Sequence, residues 1–461
     1  MTDQIRENKM GKQNMFSLII TMSLPAMFSM LIMALYNVVD SIFVSRYSTI
    51  ALNAVSLAFP LQLVAISFAV GTAIGVNSLI ARRLGSKNYD EANSAATHGL
   101  FLAAFNTILF VIIGLVFSKL FISLFTKNET TISYGTSYLT IVLCFCIGQM
   151  FSCMIEKTLQ ATGNMIIPML GQVLGAVINI IFDPLLIFGI GIFPEMGVVG
   201  AAVATVFGQI CSAIFLLCML IFKKHDVKIK VKGFKFSKST LKNIYVVGVP
   251  AIIMQAIGSV MVSGINTIIT LSSLAVEYIE AYINVFGIYF KVQSFVFMPI
   301  FGLSQGVSPI IGYNYGAKNR KRMYKAFSLS VLIASIIMAC GMLLFQFGSD
   351  FILTLFTDDE LIHTLGVPTF KIISLCFIVA AFGMMFSTLF QAIGKGVYSM
   401  LMSMGRQLFV LLPVAFLLSK IDIQYMWYAF VIAEAVCLGI AFIFFKIVKT
   451  KDFDKMVLNE E

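Results

Sequence analysis

Inside an apolar run from Met165 to Ile190 the chain reads Asn179-Ile180-Ile181-Phe182-Asp183-Pro184. An amide and a carboxyl four positions apart share one face of a helix. A carboxylate at mid-membrane costs roughly 2.5–3.5 kcal/mol on insertion scales, so such residues are rare and usually functional. Pro184 has no N–H, so the carbonyl of Ile180 loses its helical partner. One turn then offers an acid, an amide and a free carbonyl. The bland reading is an acid that stays protonated and bonded to Asn179. A second acid, Asp40, closes Tyr36-Asn37-Val38-Val39-Asp40 near the end of the first apolar run, with Tyr36 and Asn37 one turn earlier. By depth alone it serves equally as an interfacial cap or as a working group. If Asp40 and Asp183 face one cavity, they titrate as a unit, which is the chemistry of proton coupling. The same carboxylates, with Asn179 and the Ile180 carbonyl, equally suit Na⁺, because hard cations take oxygen ligands.

Other polar groups lie within apolar runs. Glu156 stands beside Lys157, with Gln160 one turn on. It reads as half of an interfacial ion pair or, with Gln160 on the same face, as a working group. Glu434 is the one acid of the last run, with Arg406 or Lys291 as partner, since buried charges pair. Pro25 frees the carbonyl of Thr21 and can hinge the first run. His98, His225 and His363 fall at edges or in loops and carry no coupling role. The eight cysteines all sit in apolar runs, without metal-ligand spacing, and read as small packing residues.

These groups need a scaffold in lipid. Of the 461 residues, 59% are hydrophobic and 12% charged, against about 25% charged in a soluble domain. Twelve apolar spans recur, near 16–43, 51–80, 94–123, 132–160, 165–190, 197–222, 243–271, 278–312, 326–354, 365–393, 397–420 and 424–447. Helices are required, because open strands leave backbone groups unpaired in lipid. The net charge of +10 is not a nucleic-acid signal. Lys and Arg gather before the first span (Arg6, Lys9, Lys12) and in every second loop, including the stretch 223–242 that holds Lys223 and Lys224. The positive-inside rule then puts both termini in the cytoplasm. No secretory signal peptide is expected from the polar first residues.

The chain repeats itself. Residues 71–88 (Gly-Thr-Ala-Ile-Gly-Val-Asn-Ser-Leu-Ile-Ala-Arg-Arg-Leu-Gly-Ser-Lys-Asn) match residues 302–319 at seven of eighteen positions, including Gly71, Gly75 and Gly85. The same offset of 231 pairs Leu124-Phe125-Thr126 with Leu355-Phe356-Thr357, and Gln160-Ala161 and Gly163 with Gln391-Ala392 and Gly394. Six spans per half is an even number, so the halves are parallel repeats about an axis along the membrane normal. The expected domains are a tail (1–15), a first lobe (16–222), a basic linker (223–242) whose bland reading is a solvated loop, a second lobe (243–447) and a tail (448–461). Two like bundles suggest alternating access. The major facilitator layout wants an acid in the loop between spans two and three, which here reads Ala81-Arg82-Arg83-Leu84-Gly85-Ser86-Lys87-Asn88 without one.

Ser78–Gly85, Gly306–Gly316, Leu159-Gln-Ala-Thr-Gly163, Asn179–Pro184 and Gly200-Ala-Ala-Val-Ala-Thr205 together resemble the multidrug and toxic compound extrusion (MATE) family, closest to its bacterial DinF and MepA-like branch. The resemblance implies a V-shaped, all-α, twelve-helix exporter of the bacterial inner membrane, a monomer exchanging lipophilic and often cationic drugs for H⁺ (or Na⁺), with no cofactor beyond that ion. It implies a coupling site at Asp40, Asp183 and Asn179, a pocket with Tyr36, Asn37, Glu156 and Thr205, and hinges at Pro25 and Pro184. The seventh span has Gln255 and Gly258 where another branch has an acid. A lipid-linked oligosaccharide flippase is the rival in the same superfamily, but it wants basic residues mid-span, and few are present. A channel or a membrane enzyme is the rival from another class; a two-fold repeat gives no pore symmetry, and no histidine lies mid-span.

Overall fold

A computed structural model describes residues 8–223, 225–230, 232–272 and 274–456; Arg6 and Lys224 of the basic clusters lie outside them. The described residues form helices and no strand. A short helix, α1 (Lys9–Lys12), leads into the first lobe, made of α2 (Met15–Tyr47), α3 (Thr49–Gly85), α4 (Tyr89–Ser123), α5 (Glu129–Cys144), α6 (Ile147–Ala161), α7 (Ile166–Ile187) and α8 (Val198–Phe222). The second lobe contains α9 (Lys238–Thr270), α10 (Val276–Gly316), α11 (Arg320–Thr354), α12 (Glu360–Ser374), α13 (Phe377–Ala392), α14 (Gly396–Met404), a π-helical turn over Gly405–Leu411, α15 (Leu412–Ser419) and, after a 3₁₀ turn, α16 (Tyr428–Val448). Ten spans are long and apolar enough to cross a membrane, and two bent pairs, α5–α6 (45°) and α12–α13 (48°), bring the number to twelve. The two breaks sit at repeat-related places, in the fourth span of each lobe.

The repeat clusters are turn and seam chemistry. Gly163 and Gly394 have φ of +88° and +85° and end α6 and α13 in the left-handed conformation that glycine tolerates best. Thr126 and Thr357 accept hydrogen bonds from the N–H groups of Asn128 and Asp359, and these two residues cap α5 and α12. Asn88 and Asn319 cap α4 and α11 in the same way.

The paired glycines mark where the lobes touch. A Cβ on Gly71 or Gly75 of α3 would fall 2.5 Å from Ile252 or 2.3 Å from the Ile244 carbonyl of α9. Across the pseudo-two-fold, a Cβ on Gly302 or Gly306 of α10 would lie 2.5 Å from Met27 or 2.4 Å from Ser23 of α2. Where α3 and α10 end, Gly85 and Gly316 each leave room for only 1.9 Å to the other helix's backbone, at Tyr313 O and Arg82 O. These contacts lie toward the side of the molecule that carries both described chain ends: Arg320 pairs with Asp454 at 2.9 Å, and Arg322 reaches the carbonyl of Met10 at 3.3 Å. We call this the terminal side.

The stretch between the lobes is more than a solvated loop. The backbone N–H groups of Lys228, Lys230 and Ser237 donate to Asn93 Oδ1 (2.6 Å), Thr97 Oγ1 (3.2 Å) and His98 Nε2 (2.9 Å), which binds it along the start of α4. A one-sequence reading treats positive residues as solvated, whereas here the backbone between them is the bound part. His98, fully buried, has this structural task.

Candidate functional site

Asp183 is fully buried in α7, one turn past Asn179. The Asn179 amide spans the gap to α8. In the orientation that satisfies both ends, its nitrogen lies 3.0 Å from Asp183 Oδ2 and its oxygen 3.1 Å from the N–H of Thr205. The reverse orientation puts the nitrogen 3.3 Å from Thr205 Oγ1. Asp40 enters from α2, its carboxyl close enough to Asp183 to share a hydrogen bond. Such a bond requires a proton on one of the two acids, because an ionised carboxyl is acceptor-only. Asp40 Oδ1 is buried, and no donor of another residue type reaches it among the described residues. A buried acceptor that no such donor reaches is costly and asks for a proton, an ion or water.

Tyr36 lies one turn back on α2, near both acids. Two residues absent from the sequence expectation complete the pocket. Tyr138 of α5 is buried near Asp40, Tyr36 and Asp183, and Gln62 of α3 lies close to its hydroxyl. A glutamine in mid-span was a signal available in the sequence; Tyr138, one of two tyrosines of its span, was not. Asn37 is elsewhere. It is exposed and donates to Met33 O of its own helix at 2.9 Å, because the residue after Tyr36 points about 100° round the helix.

Glu156 belongs to a separate level. It accepts from Gln172 Nε2 at 2.9 Å, and Gln172 precedes Asp183 by eleven residues, about 16 Å of helix. Gln160, expected beside Glu156, turns to Lys157. The ammonium of Lys157 donates to Gln160 Oε1 and to Gln305 Oε1, both at 2.8 Å, and Gln305 belongs to the other lobe. Neither Glu156 nor Lys157 is more than a tenth exposed, yet they form no ion pair with each other. Adjacent helix positions diverge, so an interfacial Glu–Lys pair cannot form there.

In the second lobe Glu434 of α16 pairs with Arg406 of the π-helical turn. Lys291, the other partner considered, is exposed on α10. The prolines differ in setting. α2 runs unbroken through Pro25, whose carbonyl accepts from Ser29 Oγ at 2.9 Å. Pro184 stands in the last turn of α7, so a bend there has no helix beyond it to swing. The cysteines are all free thiols, and no cluster of His, Cys, Asp and Glu suited to a metal occurs among the described residues.

The MatE family model matches residues 25–185 and 250–417. A "Multidrug export protein MepA" of Staphylococcus haemolyticus is 27% identical over 452 residues, covering 97% of each chain. A protein of the same name from Staphylococcus aureus is 24% identical over 429 residues, covering 92% of each. Among solved structures, a MOP superfamily transporter from Pyrococcus furiosus, described as having a binding pocket of reverse polarity, superposes with a TM-score of 0.90 at 26% identity. It covers 98% of this chain and 99% of its own. An outward-facing multidrug resistance MATE transporter superposes equally well at 25% identity, with the same coverage. The chain, a twelve-span helical membrane protein with a repeated lobe, belongs to the MatE family.

Proposed function

We propose that this protein is a secondary active exporter that moves lipophilic, often cationic small molecules out of a bacterial cell in exchange for H⁺. The observation that carries the reading is the meeting of the half-buried Asp40 and the buried Asp183, on two helices, with no basic side chain beside them among the described residues. One excess proton in such a pocket can be held or released as the cleft opens to each side. Asn179 and Thr205 hold Asp183 in place, and Tyr36, Tyr138 and Gln62 line the approach. Glu156, one level closer to the terminal side, offers a carboxylate to a cationic substrate. The terminal side is cytoplasmic, the membrane is the inner one, and the working unit is a monomer. Transport by exchange needs no catalytic group, which agrees with the export activity named for the staphylococcal relatives.

The test is efflux of a fluorescent lipophilic cation from proteoliposomes under an imposed proton gradient or, separately, a Na⁺ gradient. The reading expects efflux with the proton gradient alone and its loss in Asp40→Asn and Asp183→Asn. Efflux driven by Na⁺ with the proton gradient collapsed would replace the ion. Unchanged coupled efflux in both variants would remove the site.

A further inference from the structure

The two terminal-side turns that end α6 and α13 are related by the repeat, yet different parts of the chain cover them. Over the Gly394 turn lies α3 of the opposite lobe. Ser78 Oγ donates to Gln391 O at 2.6 Å, and the Arg82 guanidinium rests on Gly394, where a Cβ would come within 2.6 Å of Nη1. The same offset of 231 places Pro309 and Tyr313 of α10 where a Ser78 and an Arg82 would cover the Gly163 turn. Proline has no donor, and Tyr313 instead lays its ring against Gly11, where a Cβ would be 3.2 Å from Cε1.

The segment before α2 fills the place. Asn8 Nδ2 donates to Thr162 O at 2.9 Å, and Lys9 and Met10 crowd Gly163. Asn8 also donates to Asp226 of the stretch between the lobes at 2.7 Å. The segment then crosses to the second lobe. Its Met10 carbonyl accepts from Asn314 Nδ2 at 3.1 Å and from Arg322 Nη2 at 3.3 Å, and its Gln13 carbonyl accepts from Arg322 Nη2 at 2.7 Å. Met10 and Asn314 are fully buried.

We propose that residues 8–14 are a latch that holds the lobes together on the terminal side and must leave Asn314 and Arg322 before they part there. The release point follows from connectivity. The segment runs directly into α2 of the first lobe and travels with it, so its bonds to the second lobe are the ones that must break when the lobes separate. A bond to a backbone carbonyl can be broken and remade without losing the fold of either lobe. The proposal rests on the alternating-access reading above.

The experiment has two arms, both in a background with the eight native cysteines replaced. In the first, spin labels at Asp90→Cys and Lys321→Cys, exposed and repeat-related on opposite lobes, report the interlobe distance. The latch predicts one short-distance population in the otherwise unaltered protein. It predicts a second, longer population in Arg322→Met and in Asn8→Ala, and none in Ser78→Thr, which keeps its hydroxyl. An unchanged distribution in both latch variants overturns the proposal. In the second arm, Gly11→Cys and Tyr313→Cys are joined by a short reducible crosslinker. Substrate efflux should fall at least tenfold and recover on reduction, whereas full efflux with the crosslink in place refutes the latch. If the uncrosslinked protein shows no efflux at all, the exporter reading has failed, and the distance measurement still decides on the latch.

Discussion

The two lobes share a scaffold and bury opposite kinds of polar group in it. Between its fifth and sixth spans the first lobe places Asn179 against Thr205, with Asp183 and Asp40 close by and no basic side chain paired with them among the described residues. Between the equivalent spans the second lobe places Arg406 against Glu434, a neutralised ion pair. A pair of carboxyls can hold two protons, one or none, and the steps are coupled, so its occupancy responds to its surroundings. An ion pair is complete as it stands. Its arginine rides on a π-helical turn, a geometry that costs regular helical hydrogen bonds and is kept where it re-aims a side chain. The contrast teaches that the repeat preserves caps, turns and seam glycines while the chemistry between them diverges.

The largest expected effect comes from unbalancing the second lobe. Arg406→Ala leaves the buried Glu434 carboxylate without its partner and should destabilise the protein by about 3–5 kcal/mol, read as a lower melting temperature in detergent. The paired change Arg406→Met with Glu434→Leu should restore most of that loss. If the single change is harmless, the two lobes do not differ in the way described.

At the seam, Gly85→Ala or Gly316→Ala puts a methyl 1.9 Å from the other lobe's backbone carbonyl. Each should cost about 1–3 kcal/mol and, by holding the lobes apart, cut efflux at least tenfold. Effects of similar size at the two positions would confirm the pseudo-symmetry of the contact; a harmless change at either would break it. Tyr138→Phe should be milder. It removes a buried hydroxyl close to Gln62 and the two acids, worth about 1 kcal/mol, so a roughly fivefold fall in efflux is expected with the melting temperature nearly unchanged. The smallest effects belong to the shared caps. Asn88→Ala and Asn319→Ala should each cost about 1 kcal/mol, equally in the two lobes, with transport coupling intact.

Much of this was legible in the sequence. The Asn179–Asp183 turn announced itself because a carboxyl in an apolar span is expensive and i, i+4 spacing is local. The need of Glu434 for a partner followed from the same cost. The repeat at offset 231 gave the lobes, although not that its glycines mark the seam. Other features depend on tertiary neighbours. Lys157 finds Gln305 from 148 positions away, across a seam that one sequence does not describe. Tyr138 lies on α5, which bends 45° away from α6 at a break, Cys144 to Ile147, that holds neither proline nor glycine to signal it. The latch was hidden for a further reason: residues 8–14 look like polar flanking sequence, and their role appears only when Pro309 and Tyr313 are seen to leave a place empty.

The central claim is that ion coupling belongs to the first lobe alone. Its most direct measurement follows internal pH and substrate together in proteoliposomes, comparing the unaltered protein, Asp183→Asn, and the double variant Arg406→Met with Glu434→Leu. The account predicts that substrate efflux moves protons in the unaltered protein and in the double variant at the same ratio, and that Asp183→Asn loses the proton flux. Proton flux that survives Asp183→Asn but vanishes in a folded double variant would contradict it.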